Sequence, residues 1–428
     1  MRQWLRGLDP QLPRSVYALQ LGGLLNSVGN GIVLPFTLIY LHNVRGIALG
    51  LAGLILATNA FVGLVAGPLS GVLVDRLGGR AMLAAALVCL AVGYSAFALV
   101  REPWQGFVAA TIAGAGNGVF WPAQSTLLAG LTPAERRPAA WGMQRVVMNL
   151  GIGLGALVGG LVVTTDDPRS FELLFAADAL TFVAYLAVLL VLVPEPRRAD
   201  ERRQAPGSYR DVLRDTAFMW VIGVNTLFIL AGMSGFELLP VYAKNTAGVD
   251  EAAIGAVFFV NTVVIVLAQL PVTKLSEGHR RTRALALLGV VWAVCWVVVP
   301  LVGTTLTGRD AAIALGAVMA VFAIGECLHG AVQGPLVADL AAPSLVGRYM
   351  ALSALSWQVG FALGPAIGAS ALERSESGVW LAAAAICLAA SGLALSLERR
   401  LPAHARRTPV SVIEPGVDRE GAAGKMAK

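Results

Sequence analysis

Charge is scarce in this chain. Only 14% of its 428 residues are Asp, Glu, Lys or Arg, where water-exposed domains carry roughly a quarter, so the charges are too few to coat a soluble surface. Cysteine is sparse as well. Cys89, Cys295, Cys327 and Cys387 all fall within apolar runs and form no CxxC pair, which leaves them as small core residues and excludes a disulfide framework or thiolate metal site. No Ser/His/Asp set, metal-ligand cluster or phosphate-cradling Gly-x-x-x-x-Gly-Lys loop is visible. Catalysis and nucleotide-driven pumping thus lack their residues, and neither an enzyme nor a bound cofactor or metal is expected. The N-terminal stretch also lacks the short apolar core and small-residue cleavage site of a removable leader, so the first apolar run is expected to remain.

Apolar runs are what the chain has in abundance. Hydrophobic residues make up 57%, and the mean hydropathy is +0.71. Runs near 20 residues match a hydrocarbon core of ~30 Å at ~1.5 Å rise per residue. Twelve follow one another, near 15–41, 48–74, 80–100, 105–131, 139–164, 171–194, 217–243, 251–275, 283–303, 310–338, 347–371 and 378–397. The expected fold is an all-α polytopic membrane protein with twelve transmembrane helices. Runs longer than 25 residues imply tilt or protruding ends.

A net charge of +6 raises the question of nucleic acid, but the distribution of charge answers it. With both termini and the loop holding Asp75 on one side, 25 of the 32 Lys and Arg fall on that side and six on the other. Positive residues favour the cytoplasmic face, so a multi-pass protein of the cell membrane with both termini cytoplasmic is expected. The basicity reports topology, and no nucleic-acid partner follows. The bilayer and a small molecule are the expected partners of a monomer.

The longest polar stretch between runs, starting at Glu195-Pro-Arg-Arg, divides the spans six and six. It sets the expected boundaries at 1–194 for the first half, 195–216 for a cytoplasmic linker, 217–397 for the second half and 398–428 for a disordered cytoplasmic tail. Landmarks recur in order: Leu34-Pro35 and Leu239-Pro240, Asn59 with Pro68 and Asn261 with Pro271, and a Gly151/Gly155/Gly159 series against Gly360/Gly364/Gly368. Six spans per half insert both halves in the same orientation, related by a pseudo-symmetry axis along the membrane normal.

Two motifs carry a family resemblance. Gly71-Val-Leu-Val-Asp75-Arg76-Leu-Gly78-Gly79-Arg80 sets a carboxylate and two guanidinium groups in a glycine turn between two apolar runs. It resembles the loop between the second and third helices of major facilitator superfamily transporters. The fifth run reads Gly142, eight residues, Gly151, three residues, Gly155-Ala156, two residues, Gly159-Gly160. It is similar to the fifth-helix glycine motif of the superfamily's proton-coupled drug exporters, with Ala156 where that pattern has proline. The spacing of four puts Gly151, Gly155 and Gly159 on one face for close helix approach, expected against the eighth helix. Asn117-Gly-Val-Phe120-Trp121-Pro122-Ala-Gln124 and the segment around Asp178 also look like multidrug and macrolide efflux members. The resemblance implies the major facilitator fold and secondary transport by alternating access, with the proton gradient as energy source. It also implies a gating turn whose Asp75 meets the start of the eleventh helix near Arg348-Tyr349. Two pieces depart from the exporter pattern: the arginine in mid-fourth helix is missing, and Asn26 stands where many exporters have an acid.

Ionisable groups inside spans cost ~2.5–3.5 kcal/mol on insertion scales, so each asks for a reason. Glu326 lies about 22 Å along the tenth run by helix rise, with His329 three residues on. The pair is either the coupling proton site or a static hydrogen bond between helices. Glu237, in a flexible stretch near the outer end of the seventh run, is a second proton site, an outer gate or an interfacial carboxylate. Arg145 either binds a carboxylate or snorkels to water. Asp178 reads as a structural partner. Asn26, Asn30, Asn117, Phe120, Trp121 and Gln124 are the leading cavity candidates, since aromatic faces with a few amides suit amphipathic molecules of varied shape. The expected function is proton-coupled efflux of hydrophobic or amphipathic compounds. The alternatives are uniport or symport of one metabolite such as a siderophore, sugar or lipid, and a channel or receptor that moves nothing stoichiometrically.

Overall fold

The computed structural model describes residues 12–133, 136–195, 209–341 and 345–408. Twelve long helices run through them: α1 (Arg14–Val33, continued by Thr37–Val44), α2 (Leu49–Leu77), α3 (Gly79–Ala98), α4 (Pro103–Leu131), α5 (Arg137–Val162) and α6 (Pro168–Leu192), then α7 (Thr216–Asn245), α8 (Glu251–Ser276), α9 (Arg281–Thr305), α10 (Gly308–Leu340), α11 (Val346–Arg374) and α12 (Gly378–Ser396). Ten are long and apolar enough to cross a membrane on their own, and α1 makes an eleventh as a bent pair. Pro35 removes a backbone donor at the break, which turns α1 by about 40°. The 29-residue α4 has the length, but its glycines and amides lower its apolarity.

The chain order repeats in the packing. In the first half α1 lies on α5 and α6, α2 on α4, and α3 on α4 and α6. Adding six to each number gives the second half: α7 on α11 and α12, α8 on α10, α9 on α10 and α12. The halves meet through α2 with α11 and α5 with α8, a set that the same shift maps onto itself. Internal prolines follow suit, with Pro68 in α2 and Pro271 in α8, and Pro122 in α4 and Pro335 in α10. Proline is tolerated here because neighbouring helices re-satisfy the freed backbone groups. The second half is tied together by an aromatic stack in which Trp292 lies 4.8 Å from Phe322 and gives its indole N–H to the Phe322 carbonyl.

Hydrogen bonds between the halves gather at one end. Asn43 Nδ2 donates to Asn245 Oδ1 (2.5 Å), the Gly50 N–H to Glu373 (2.9 Å) and the Thr165 N–H to Glu251 (2.9 Å). At that end too, a Cβ on Gly53 would come within 2.3 Å of the Pro365 carbonyl, and one on Gly160 within 2.6 Å of the Glu251 carbonyl. This end of the bundle is closed. At the other end, which holds the Arg76–Arg80 turn, Leu69 of α2 and Leu270 and Leu275 of α8 are exposed.

Two expected boundaries change. Residues 398–408, expected within a disordered tail, are ordered, because two short turns, Leu397–Arg399 and Ala403–Ala405, carry the chain back over the bundle. Leu401 and Ala405 are buried, and Arg407 forms a backbone bridge with Arg280. Within the linker, Tyr209–Arg214 is helical. Residues 196–208 and 409–428 lie outside the described residues.

Candidate functional site

The glycine turn is built as its residues dictate. Gly78 has φ +91°, a conformation that side chains with a Cβ rarely adopt. The α3 helix therefore starts immediately after α2 ends. The Arg80 backbone N–H, one of the unpaired donors of a helix start, is met by Glu195 Oε2 at 3.1 Å. Its guanidinium donates to the carbonyls of Leu190 (2.6 Å) and Leu189 (3.4 Å), where the α6 dipole is negative. The turn is thus fastened to the end of α6 in its own half. Arg76 is exposed. The side chain of Asp75, and with it the expected contact to α11, lies outside what is described, as do the surroundings of Gly71.

Gly151, Gly155 and Gly159 do not face the eighth helix, against which they were expected to pack. A Cβ on Gly151 would meet Ser27, one on Gly155 the Val28 carbonyl at 2.1 Å, and one on Gly159 the Ile32 carbonyl at 2.7 Å, all on α1. Gly31 returns the contact, 2.1 Å from the Ile152 carbonyl. The counterpart series does the same in the second half: Gly360, Gly364 and Gly368 sit against Ile229, Ser234 and Leu238 of α7. Each glycine face therefore seats the first helix of its own half. The flank of α5 carrying Gly153 and Gly160 is what meets Thr262 and Gly255 of α8. Gly142 has open space around it and packs against nothing.

A cleft between α1, α4 and α5 collects most of the first-half candidates. Gln20, Asn26 and Ser27 line it from α1, Phe120, Trp121 and Gln124 from α4, and Gln144 from α5. Gln20, Asn26, Gln124 and Gln144 are all buried, and each holds a side-chain oxygen with no hydrogen-bond partner. Two are fixed through their other amide atom: Gln20 donates to the Ala140 carbonyl (3.3 Å) and Gln124 to the Tyr185 hydroxyl (3.2 Å). The cleft holds about 10 Å³ in this state, room for about one water, and its four unpaired acceptors, at a cost of ~1–3 kcal/mol apiece, are available to hydrogen-bond donors. Asn117 is drawn elsewhere, donating to Asn59 Oδ1 of α2 at 3.0 Å. Phe120 packs edge-on against Trp121 and Tyr185, which leaves it shared between cleft and core. Asn30 is half-buried outside the cleft lining.

In the second half Glu326 and His329 do not pair. Glu326 Oε2 accepts from Asn261 Nδ2 of α8 at 2.7 Å. His329 Nε2 lies 2.7 Å from Asn225 Oδ1 of α7, whose Nδ2 donates to Ser356 Oγ of α11 (2.6 Å). Since that amide nitrogen is already a donor, its oxygen accepts and His329 carries its proton on Nε2. The i+3 offset, about 300° around a helix, separates the two enough to reach different neighbours. Arg145 does not snorkel away. It crosses from α5 to α10, where a Cβ on Gly330 would fall 2.4 Å from its Nη2, within electrostatic reach of both Glu326 and His329. Glu237 is half-buried with Oε2 buried and unpartnered. Asp178 is fully buried against Gly29 of α1, with Oδ2 unpartnered.

Sequence reasoning missed Gln20 and Gln144 as cleft residues and Asn261 as the partner of Glu326. Gln20 and Gln144 were visible as amides in apolar runs, and Asn261 as the counterpart of Asn59. Only the packing shows which ones converge.

Known proteins match this chain along its length. The model of the Major Facilitator Superfamily matches residues 19–325 and 238–418. The multidrug resistance protein MdtH of Cronobacter sakazakii is 26% identical over 352 residues, 82% of this chain and 85% of that protein. The protein of the same name from Salmonella typhimurium is 22% identical over 401 residues, 94% and 97% of the two chains. Among solved structures, a POT family transporter in complex with 5-aminolevulinic acid superposes with a TM-score of 0.74 at 14% identity, covering 91% of this chain and 96% of its own. A D-xylose-proton symporter gives 0.72 at 18% identity, covering 90% and 97%. At such identities the structural likeness speaks for the fold alone.

Proposed function

This chain belongs to the Major Facilitator Superfamily, and from that premise we propose that it is a proton-coupled exporter of amphipathic small molecules. That it is a multi-pass membrane transport protein follows from the family and the apolar helices. The observation that carries the finer reading is the first-half cleft, where four buried amide oxygens without partners stand beside Phe120 and Trp121. Aromatic faces hold apolar bodies of varied shape, and the oxygens take their N–H or O–H groups. The MdtH names of the similar proteins support this substrate class.

Coupling is assigned to Glu326. It sits in mid-helix on α10 and is held by one amide from α8. Arg145 of the other half reaches the same stretch of α10. When the halves move, Arg145 withdraws, and the carboxylate left in an apolar setting takes up a proton. When they return, the guanidinium favours the charged form and expels it. Glu237, with an unpartnered buried oxygen, is a second site on the same pathway. Positive residues gather at the end holding the Arg76–Arg80 turn, which supports a cytoplasmic position for it and makes the Asn43–Asn245 end, closed in this state, the outer side. Purified protein in liposomes, given a pH gradient and a panel of lipophilic amines and neutral drugs, tests the reading. Gradient-dependent accumulation of several of them supports it. Strict selectivity for one metabolite would replace export of many compounds with specific transport.

A further inference from the structure

Outside the pathway, the fold builds one strongly basic cleft. The segment after α12 crosses the start of α9, and Arg280, Glu398, Arg399, Ala403, Arg406 and Arg407 enclose about 480 Å³, within the ~300–1,000 Å³ typical of ligand sites. Four guanidinium groups face a single carboxylate, and that carboxylate is already engaged. Glu398 takes Arg280 at 3.1 Å and the Thr282 hydroxyl. Arg406 and Arg407 are held in place by backbone carbonyls, with no anionic partner among the described residues. Arg406 gives Nε–H to Leu401 (2.8 Å), and Arg407 gives one Nη1–H to Gly278 (3.0 Å). Each has five donors, so most of each fork stays free for another acceptor.

The floor beneath is rigid. Arg281 is fully buried, joined to Asp339 at 2.5 Å and to the Ala405 carbonyl at 3.3 Å. The two strips are laced by Gly278 N–H to Thr408 (3.0 Å), Thr408 N–H to His279 (3.1 Å) and Arg281 N–H to Arg406 (2.9 Å). Pre-set forks of this kind suit the planar, bidentate recognition of phosphate oxygens. The helix ends leading into the cleft carry exposed Leu275 and Leu395, an apolar surface beside a basic pocket at a bilayer face, which is where anionic head groups are bound.

We propose that this cleft is a binding site for a phosphate group, and that its natural source is the head group of an anionic phospholipid. The test uses the full-length protein in detergent and reads its unfolding temperature. Phosphatidylglycerol should raise that temperature by about 2 °C or more, phosphatidylcholine should not, and the gain should shrink with salt. The gain should vanish in Arg406→Gln/Arg407→Gln. Arg399→Glu, which alters a side chain exposed at the cleft's edge, keeps the test decisive if the double variant folds poorly. Inorganic tripolyphosphate is the soluble arm. A gain with tripolyphosphate and none with lipid keeps the phosphate site but assigns it to a soluble anion. A lipid gain that survives both variants, or none with either anion, overturns the proposal.

Discussion

Replacing Gly155 by alanine separates tight helix packing from mere absence of side chains. The added Cβ would lie 2.1 Å from the Val28 carbonyl oxygen and 2.8 Å from the Gly31 Cα. Ordinary contact begins near 3.4 Å, so α1 must retreat by more than an ångström. The obstruction is backbone, which cannot rotate away as a side-chain tip can. Overpacking of this kind costs ~1–3 kcal/mol, partly offset by the ~1 kcal/mol that alanine gains over glycine in a helix. Gly142 lies on the same helix with nothing near it, so Gly142→Ala should keep the propensity gain and pay no packing cost. The two variants should therefore unfold about 1–3 °C apart, at ~1 °C per kcal/mol for a chain of this length, with Gly142→Ala at or above the parent and Gly155→Ala below it. Equal unfolding temperatures in detergent would refute the α1–α5 seat.

Asp339→Ala should leave the fully buried Arg281 without its carboxylate. Breaking a buried pair costs ~3–5 kcal/mol, reduced here because Asp339 is 38% exposed, and a lowered unfolding temperature with intact expression checks it. Asn117→Ala removes the bond to Asn59; inter-helix polar bonds in lipid average ~0.6 kcal/mol, so substrate affinity by tryptophan quenching should hold within a factor of about three. By contrast, Gln124→Leu fills a cleft position and removes one unpaired oxygen. Affinity for donor-bearing amines should fall by about tenfold, equivalent to ~1.4 kcal/mol, while neutral apolar ligands lose little. Equal losses for both classes would count against recognition by the amide oxygens.

Element positions were legible because lipid enforces them: a span near 20 residues has to be helical and apolar. Even α4 was found, despite glycines that dilute its apolarity. The repeat of Gly151/Gly155/Gly159 in Gly360/Gly364/Gly368 was also readable, but not the helix it faces. Spacing defines a face, whereas the partner depends on how α1 and α8 share the circumference of α5. The same limit applied to Glu326 and His329, whose offset placed them near each other without showing that Asn261 and Asn225 were better partners. The order of residues 398–408 was not legible because their composition is that of a linker, while their place is fixed by backbone bonds to the 276–283 loop that no composition encodes.

The central claim is that Glu326 carries the proton exchanged for substrate as the halves move. The direct measurement is proton release from purified protein in weakly buffered detergent on adding a ligand shown to bind. The account predicts release from the parent on addition of ligand, strongly reduced in Glu326→Gln even though the ligand still binds. No release from the parent, or undiminished release from Glu326→Gln, would contradict it.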